Sequence, residues 1–298
     1  MLEMRQLMSS SMFGDFNGDG FDDLAIGVPR EDIGSIIDAG AVNVIYGSAT
    51  DLTGAGDQGW HQNTSGIRGV SEDGDLFGAA ISVGDFNGDR FHDLAIGVPW
   101  EDVGSIVNAG AVNVIYGSAA GLTNVGDQWL HQNSPGINGV SETGDSFGAA
   151  LAIGDFDNNG KDDMVVGVPG EDIGTIRNAG AVNVIYGTNG GLSATDSTPF
   201  AIWSTDDLWH QNSSGIKGGA ETGDSFGAAL AAGDFNNDGN DDMVVGVPGE
   251  SIGSVEDAGA INVIYGSNAG LTSVGDDMWH QNSPGIAGVV EAGDSFGA

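Results

Sequence analysis

A nine-residue pattern occurs four times in this 298-residue chain, with an oxygen-bearing side chain at its first, third, fifth and ninth positions. The copies run from Asp15 to Asp23, Asp85 to Asp93, Asp155 to Asp163 and Asp234 to Asp242, and their first residues are 70, 70 and 79 apart. The whole chain is therefore one unit repeated. A unit of this size does not bury its apolar surface alone; it stacks on its neighbours, which restricts the chain to repeat architectures.

The residues around each copy predict short strands. Later repeats open Asp-Ser-Phe-Gly-Ala-Ala, as at Asp145 to Ala150 and Asp224 to Ala229, and run through small residues into the loop, so Phe226 to Gly233 is expected as strand one. Strand two follows the loop, as at Asp163 to Val168, and stops at Pro169, which cannot donate to a sheet ladder. An acidic link, Glu171 to Gly174, leads to Ala179 to Gly187, where β-branched residues alternate as in a third strand. A longer polar link ends at Trp209-His210-Gln211-Asn212, expected with the following Gly-Ile segment as strand four.

Four short strands per repeat are the content of one propeller blade, and no repeat carries a sustained helical period. The expected fold class is all-β: a β-propeller of four-stranded antiparallel blades, either a closed four-bladed ring or part of a larger propeller. The blade units are read as 12–74, 75–144, 145–223 and 224–293, within a single domain over 12–298. Residues 1–11 are unpatterned, and 294–298 start or close a further strand. Small side chains place strand one at the crowded inner edge. Hairpin parity puts the Asp/Asn loop on the same face as the link between strands three and four, such as Gly266 to Leu271. In the third repeat, nine additional residues within Ser193 to Asp207, including Phe200 and Trp203, are expected to enlarge that link.

Seven Lys and Arg stand against 43 Asp and Glu, a formal charge of −36. Nucleic acid and anionic lipid are excluded as partners, because phosphate binding needs basic clusters; cations are favoured. There is no cysteine, hence no disulfide and no cysteine catalysis. No run reaches the ~20 apolar residues of a membrane span, so direct membrane insertion is not expected. Met1 to Ser11 lacks the apolar core of a signal peptide.

Each loop offers hard oxygen donors: Asp15, Asn17, Asp19 and Asp23; Asp85, Asn87, Asp89 and Asp93; Asp155, Asp157, Asn159 and Asp163; Asp234, Asn236, Asp238 and Asp242. Ca²⁺ takes roughly 6–8 oxygens, and alternate side chains on a tight turn converge on one ion. The seventh position (Phe21, Phe91, Lys161, Asn240) varies in chemistry, as expected if it contributes only its backbone carbonyl. The twelfth position, which is Glu in the helix–loop–helix calcium hand, is Ile26, Ile96, Val166 or Val245 here, so the ninth aspartate must close the site within a β-hairpin. Mg²⁺ prefers a rigid six-oxygen shell, and Zn²⁺ lacks its usual His and Cys ligands. The competing reading is that these are Asx turns capping their own backbone. Up to four Ca²⁺ are expected, with the site at Asp85 to Asp93 weakest, because Arg90 replaces the glycine found at Gly20, Gly160 and Gly239.

The Phe-Gly of strand one (Phe77-Gly78, Phe147-Gly148, Phe226-Gly227), the Asp/Asn loop and the Gly-x-Pro ending strand two resemble the FG-GAP repeats of integrin α-subunit propellers and their bacterial relatives. The resemblance covers nearly the whole chain. One departure is consistent: Gly-Ala-Pro in the family is Gly-Val-Pro at Gly27, Gly97, Gly167 and Gly246. The resemblance implies a calcium-stabilised propeller, extracellular or at the cell surface, that acts in adhesion by binding a protein or glycan. The parent chain is open to further repeats or domains. Candidate recognition surfaces are the enlarged third-repeat link and the face bearing Glu31-Asp32, Glu101-Asp102 and Glu171-Asp172.

Catalysis is not expected. Gly144-Asp145-Ser146-Phe147-Gly148 and its copies at Gly223 to Gly227 and Gly293 to Gly297 match a nucleophile elbow in letters, but an elbow needs a strand-to-helix turn. His61, His131, His210 and His280 belong to a repeated block and are read as structural, while His92 lies at a loop edge. The alternative is an accessory or catalytic propeller of a larger secreted hydrolase or lyase.

Overall fold

Alternating β-branched runs separated by Gly, Asn and Asp turns give strands and nothing else. The computed structural model describes residues 11–193 and 207–298, and no helix occurs among them. The first sheet is β1 (Ser11–Gly14), β2 (Asp23–Val28), β3 (Ala41–Tyr46) and β4 (Thr53–Trp60), antiparallel and paired in chain order. The second is β5 (Ala80–Gly84), β6 (Asp93–Val98), β7 (Ala111–Tyr116) and β8 (Thr123–Leu130). The third is β9 (Leu151–Gly154), β10 (Asp163–Val168) and β11 (Ala181–Thr188), with an outer strand in two pieces, β12 (Gly191–Ser193) and β13 (Asp207–Trp209). The fourth is β14 (Leu230–Gly233), β15 (Asp242–Val247), β16 (Ala260–Tyr265) and β17 (Thr272–Trp279). These are four propeller blades, and their first strands β1, β5, β9 and β14 meet in series at the inner edge.

The core lies between blades. One apolar cluster joins Phe16, Val42, Val44 and Trp60 of the first blade to Phe77, Ile81, Leu94 and Ile96 of the second; two more join the second to the third and the third to the fourth. Coverage on both sides shows in burial: every residue of β6, β7 and β10 is buried, whereas β2, which among the described residues has a blade on one side only, alternates. The four blades form an open series. Contacts between inner strands link β1 to β5, β5 to β9 and β9 to β14, with no comparable contact returning from β14 to β1. The first and fourth blades therefore do not share a strand one, as a four-bladed ring requires, and the series is compatible with part of a larger propeller.

Three expectations are corrected. The Phe-Gly pair does not begin strand one: β5, β9 and β14 start at Ala80, Leu151 and Leu230. The pair bridges blades instead. Phe77 donates its N–H to Ala39 O of the preceding blade at 2.9 Å, and Gly78 donates to Gly97 O of its own at 3.0 Å. Gly40 faces this bridge at φ 87°, and a Cβ there would lie 2.3 Å from Phe77 O, so the glycine is required by close approach as well as by its backbone. Strand four is not the Trp-His-Gln-Asn block. It is the polar stretch before it, ending at Trp60, Leu130, Trp209 or Trp279. Its polarity reflects an outer edge paired on one side and interrupted by a bulge, as between Val263 and Tyr265 in the partner strand. The nine additional residues of the third repeat do not enlarge the three-to-four link, which keeps its length. The outer strand is described in two pieces, β12 ending at Ser193 and β13 starting at Asp207; Phe200 and Trp203 lie outside the described residues.

The face carrying the Glu-Asp links is also different from expectation. Glu101, Glu171 and Glu250 are buried between blades, where Gln62, Gln132 and Gln211 of the preceding blade donate to their carboxyls, at 2.6 Å for Gln132. These three glutamates are interface residues, whereas Glu31 and Asp32 of the first link are exposed. Burial raises Glu101 to about 8 and Glu171 and Glu250 to about 7, opposed by the glutamine bond and reinforced by Asp75, Asp145 and Asp224 respectively.

A carboxyl held above its unfolded value binds its proton more tightly in the folded state, so these groups favour folding at low pH and lose that contribution as pH rises towards 8. Thermal unfolding midpoints are expected to fall between pH 6 and pH 9 by an amount that Glu101→Gln, which keeps the shape without the charge, reduces. An equal pH slope in the variant would show that Glu101 does not carry the effect.

Candidate metal centre

Each Asp/Asn loop joins the first two strands of a blade, and its polar side chains first serve the backbone of the turn. In the first loop Asp15 Oδ1 accepts from Asp19 N–H at 3.0 Å and its Oδ2 from Gly20 N–H at 2.8 Å. Asn17 Oδ1 accepts from Asp19 N–H and Asp19 Oδ1 from Phe21 N–H. The same relay holds the loops at Asp85, Asp155 and Asp234 through their first and fifth positions.

The ninth position ties the loop to the rest of the blade. Asp23, Asp93, Asp163 and Asp242 are fully buried. One oxygen accepts from the N–H of the second loop residue (Phe16, Phe86, Phe156, Phe235) and the other from Gly47, Gly117, Gly187 or Gly266 after strand three, all at 2.8–3.0 Å. This places the three-to-four link beside the loop on one face, as hairpin parity requires. Burial raises all four carboxyls, Asp93 to about 8, and the neighbouring loop aspartates raise them further.

In the third loop, carboxylate oxygens of Asp155, Asp157 and Asp163 lie within 4.8 Å of one another, the one such acidic group among the described residues. Positions one, three and nine form this triangle. In the other loops position three is Asn17, Asn87 or Asn236, which contributes an amide oxygen in place of the third carboxylate. The site carries only hard oxygens, and every carboxylate oxygen that accepts one N–H keeps a further lone pair. In the fourth loop, Asn240 Oδ1 is buried without a hydrogen-bond partner. The donor set therefore suits an oxygen-seeking cation such as Ca²⁺.

The seventh residue has a second task. Phe91 of the second loop lies against Gly18 of the first, and Lys161 of the third against Gly88 of the second. Its variation is thus that of a contact between loops. Left-handed backbone at position four (Gly18, Gly88, Asn158, Asn237) has no counterpart in the spacing argument; the signal for it was the Gly or Asn found there every time. His92, at the eighth position, accepts Asp15 N–H on Nδ1 at 2.8 Å across the blade boundary, where Asp162 and Asp241 do the same for the next two loops.

The serine motif is also placed. Ser146, Ser225 and Ser295 adopt φ of 52–58°, and Leu76 takes the same backbone in the second repeat at 62°. The conformation belongs to the turn before the Phe-Gly bridge, and after Leu76, Ser146 and Ser225 a strand rather than a helix follows.

A family model described as FG-GAP repeat matches residues 9–45, 77–115, 147–185 and 226–264. The chain belongs to the FG-GAP repeat family. The last three matched segments open on the blade-bridging Phe-Gly, and all four run through strand one, the loop and strand two into strand three. Integrin alpha-PS5 of Drosophila melanogaster is 32% identical over 58% of this chain, and integrin alpha-3 of Cricetulus griseus 30% over 60%. Phosphatidylinositol-glycan-specific phospholipase D of Bos taurus is 30% identical over 57%. The matched region spans 16–18% of these relatives' own lengths.

Arg90 holds φ 76° where Gly20, Gly160 and Gly239 hold 78–92°. A side chain in this region costs about 1 kcal/mol or more. Arg90→Gly is expected to raise stability in urea unfolding by about that amount, and to tighten calcium binding at this loop by removing a nearby positive charge. A variant no more stable than the parent would show that the loop carries no strain at Arg90.

Proposed function

We propose that this FG-GAP chain is a non-catalytic calcium-binding propeller of the extracellular space or cell surface, and that it acts in adhesion by binding a protein or glycan. The observation that carries the calcium reading is the gathering of Asp155, Asp157 and Asp163 within 4.8 Å. Equivalent loops at Asp15, Asp85 and Asp234 extend it to up to four ions. The residues that would hold each ion are the side chains at positions one, three, five and nine, with the carbonyl of Phe21, Phe91, Lys161 or Asn240. Bound Ca²⁺ would neutralise repulsion among these carboxylates. The chain's own residues preset the turn: position-one oxygens fix the loop amides, and position nine anchors it to strands two and three. Similarity to integrin α-subunits supports the adhesion reading.

A second reading has its own support: relatives named phosphatidylinositol-glycan-specific phospholipase D match at 30–32%. On that reading the propeller accompanies a larger secreted enzyme. A glycan array run beside a hydrolase and lyase screen on this chain separates the two, since binding without turnover supports the first.

Calcium titration of the chelator-treated chain is expected to give up to four sites, and saturation to raise the thermal midpoint. One site at a hundredfold excess over Kd adds about 2.7 kcal/mol if the unfolded chain does not bind. Asp155→Ala with Asp157→Ala should remove one ion. A melt unchanged by chelation, with no calcium bound, would overturn the reading.

A further inference from the structure

Position eight is not a candidate ligand, yet it is where neighbouring loops are joined. At the first boundary His92 donates its main-chain N–H to Asp15 O at 3.0 Å, while its Nδ1 accepts Asp15 N–H at 2.8 Å. Asp162 holds Asp85 by the same two bonds, at 3.1 and 2.7 Å, and Asp241 holds Asp155 at 3.2 and 3.0 Å. Residue eight of one loop thus grips residue one of the loop before it. The glycine ahead of each gripped aspartate makes room: a Cβ on Gly14, Gly84 or Gly154 would lie 2.9 Å from His92 Nδ1, Asp162 Cβ or Asp241 Cβ.

Both gripped and gripping residues sit at points that must be fixed when the oxygens gather. Residue one carries the carboxyl that holds the turn, as Asp85 accepts from Asp89 and Arg90 amides. Residue eight lies between the position-seven carbonyl and the buried position-nine carboxyl of its own loop. Fixing seven and nine in one loop therefore fixes the pair of bonds that orient residue one in its neighbour. A binding-competent shape that is populated only in part lowers apparent affinity by that fraction, and whatever holds the shape restores it. Charge does not oppose this, because a donor set with three aspartates stays net negative around a divalent cation.

We propose that the calcium loops fill cooperatively, with Asp162 coupling the second loop to the third and His92 and Asp241 doing the same at the other two boundaries. The inference rests on the calcium reading above. By linkage the coupling is reciprocal, each filled loop tightening its neighbour by the same factor. Asp162 is a positioning residue, since its carboxyl holds a main-chain amide of the neighbouring loop.

Gly88 and Gly160 donate their amides to Asp85 and Asp155, so these amides report the second and third loops separately. Calcium titration of the 298-residue chain is followed at both by NMR. Asp155→Ala with Asp157→Ala, which empties the third loop, is expected to move the Gly88 midpoint to about tenfold higher calcium, a usual strength for coupled sites. Asp162→Ala should weaken the second loop likewise and make Gly88 indifferent to the third-loop substitutions. Asp162→Asn keeps an acceptor oxygen without the charge and should retain the dependence; its loss there would overturn the assignment to this hydrogen bond. If Asp162→Ala does not fold, the wild-type curves decide, because coupled loops titrate together and more steeply than single sites. A Gly88 midpoint that ignores the third loop, with calcium still bound, would overturn the coupling alone. Loop amides that do not respond to calcium in the wild-type chain would overturn the calcium reading and the coupling with it.

Discussion

Everything in this structure depends on covering both faces of each blade. A four-stranded sheet whose second strand carries large apolar residues on one side, as at Leu94, Ile96 and Val98, and smaller ones such as Ala95 on the other leaves apolar area in water unless another blade lies on each side. The contrast between β6, buried throughout, and β2, buried at alternate residues, is the direct measure of that dependence, since the two share the sequence Asp-Leu-Ala-Ile-Gly-Val. The same six residues differ in burial only through their neighbours. Stability is thus a property of boundaries between blades.

That dependence explains where the motif residues sit. A blade boundary must bring main chain against main chain, and buried N–H and C=O groups must find partners there. The Phe-Gly pair supplies them in both directions, to Ala39 and to Gly97 at the first boundary, while Phe77 fills the apolar cluster beneath. On one face the Asp/Asn loops touch in sequence through Phe91 on Gly18 and Lys161 on Gly88; on the other, the Gln–Glu pairs do so. A loop that changes shape therefore acts on the adjoining boundary as well as on its own hairpin.

Periodic local features were legible in the sequence. The repeat length, strands two and three, the loop spacing and the left-handed sixth position all follow from residues near one another, and Arg90 adopts the backbone its glycine counterparts imply. What escaped was longer in range. Strand four looks like a polar link because it is an outer edge. Glu101 looks like a surface charge because its partner Gln62 stands 39 residues upstream. The Phe-Gly pair reads as the start of its own strand, although its main chain pairs first with the blade before. The open ends were not decided by sequence matching either, because the match of Asp294–Ala298 to a repeat opening suits closure and continuation equally.

The acidity of the chain sharpens the question of how its carboxylates are held. Among the described residues two ion pairs form, Arg68 with Asp127 and Lys217 with Asp277, so basic side chains answer few of the 43 acids. Backbone amides take their place: position one captures the amides of the turn, and position nine captures one from the loop and one from beyond strand three. Such bonds favour the charged form and fix the geometry, but they leave the repulsion among Asp155, Asp157 and Asp163 in place. The Asx-turn reading and the calcium proposal are therefore complementary. The turn bonds lower the conformational cost of gathering the oxygens, and on that proposal a cation would supply the attraction that the chain's seven basic residues do not.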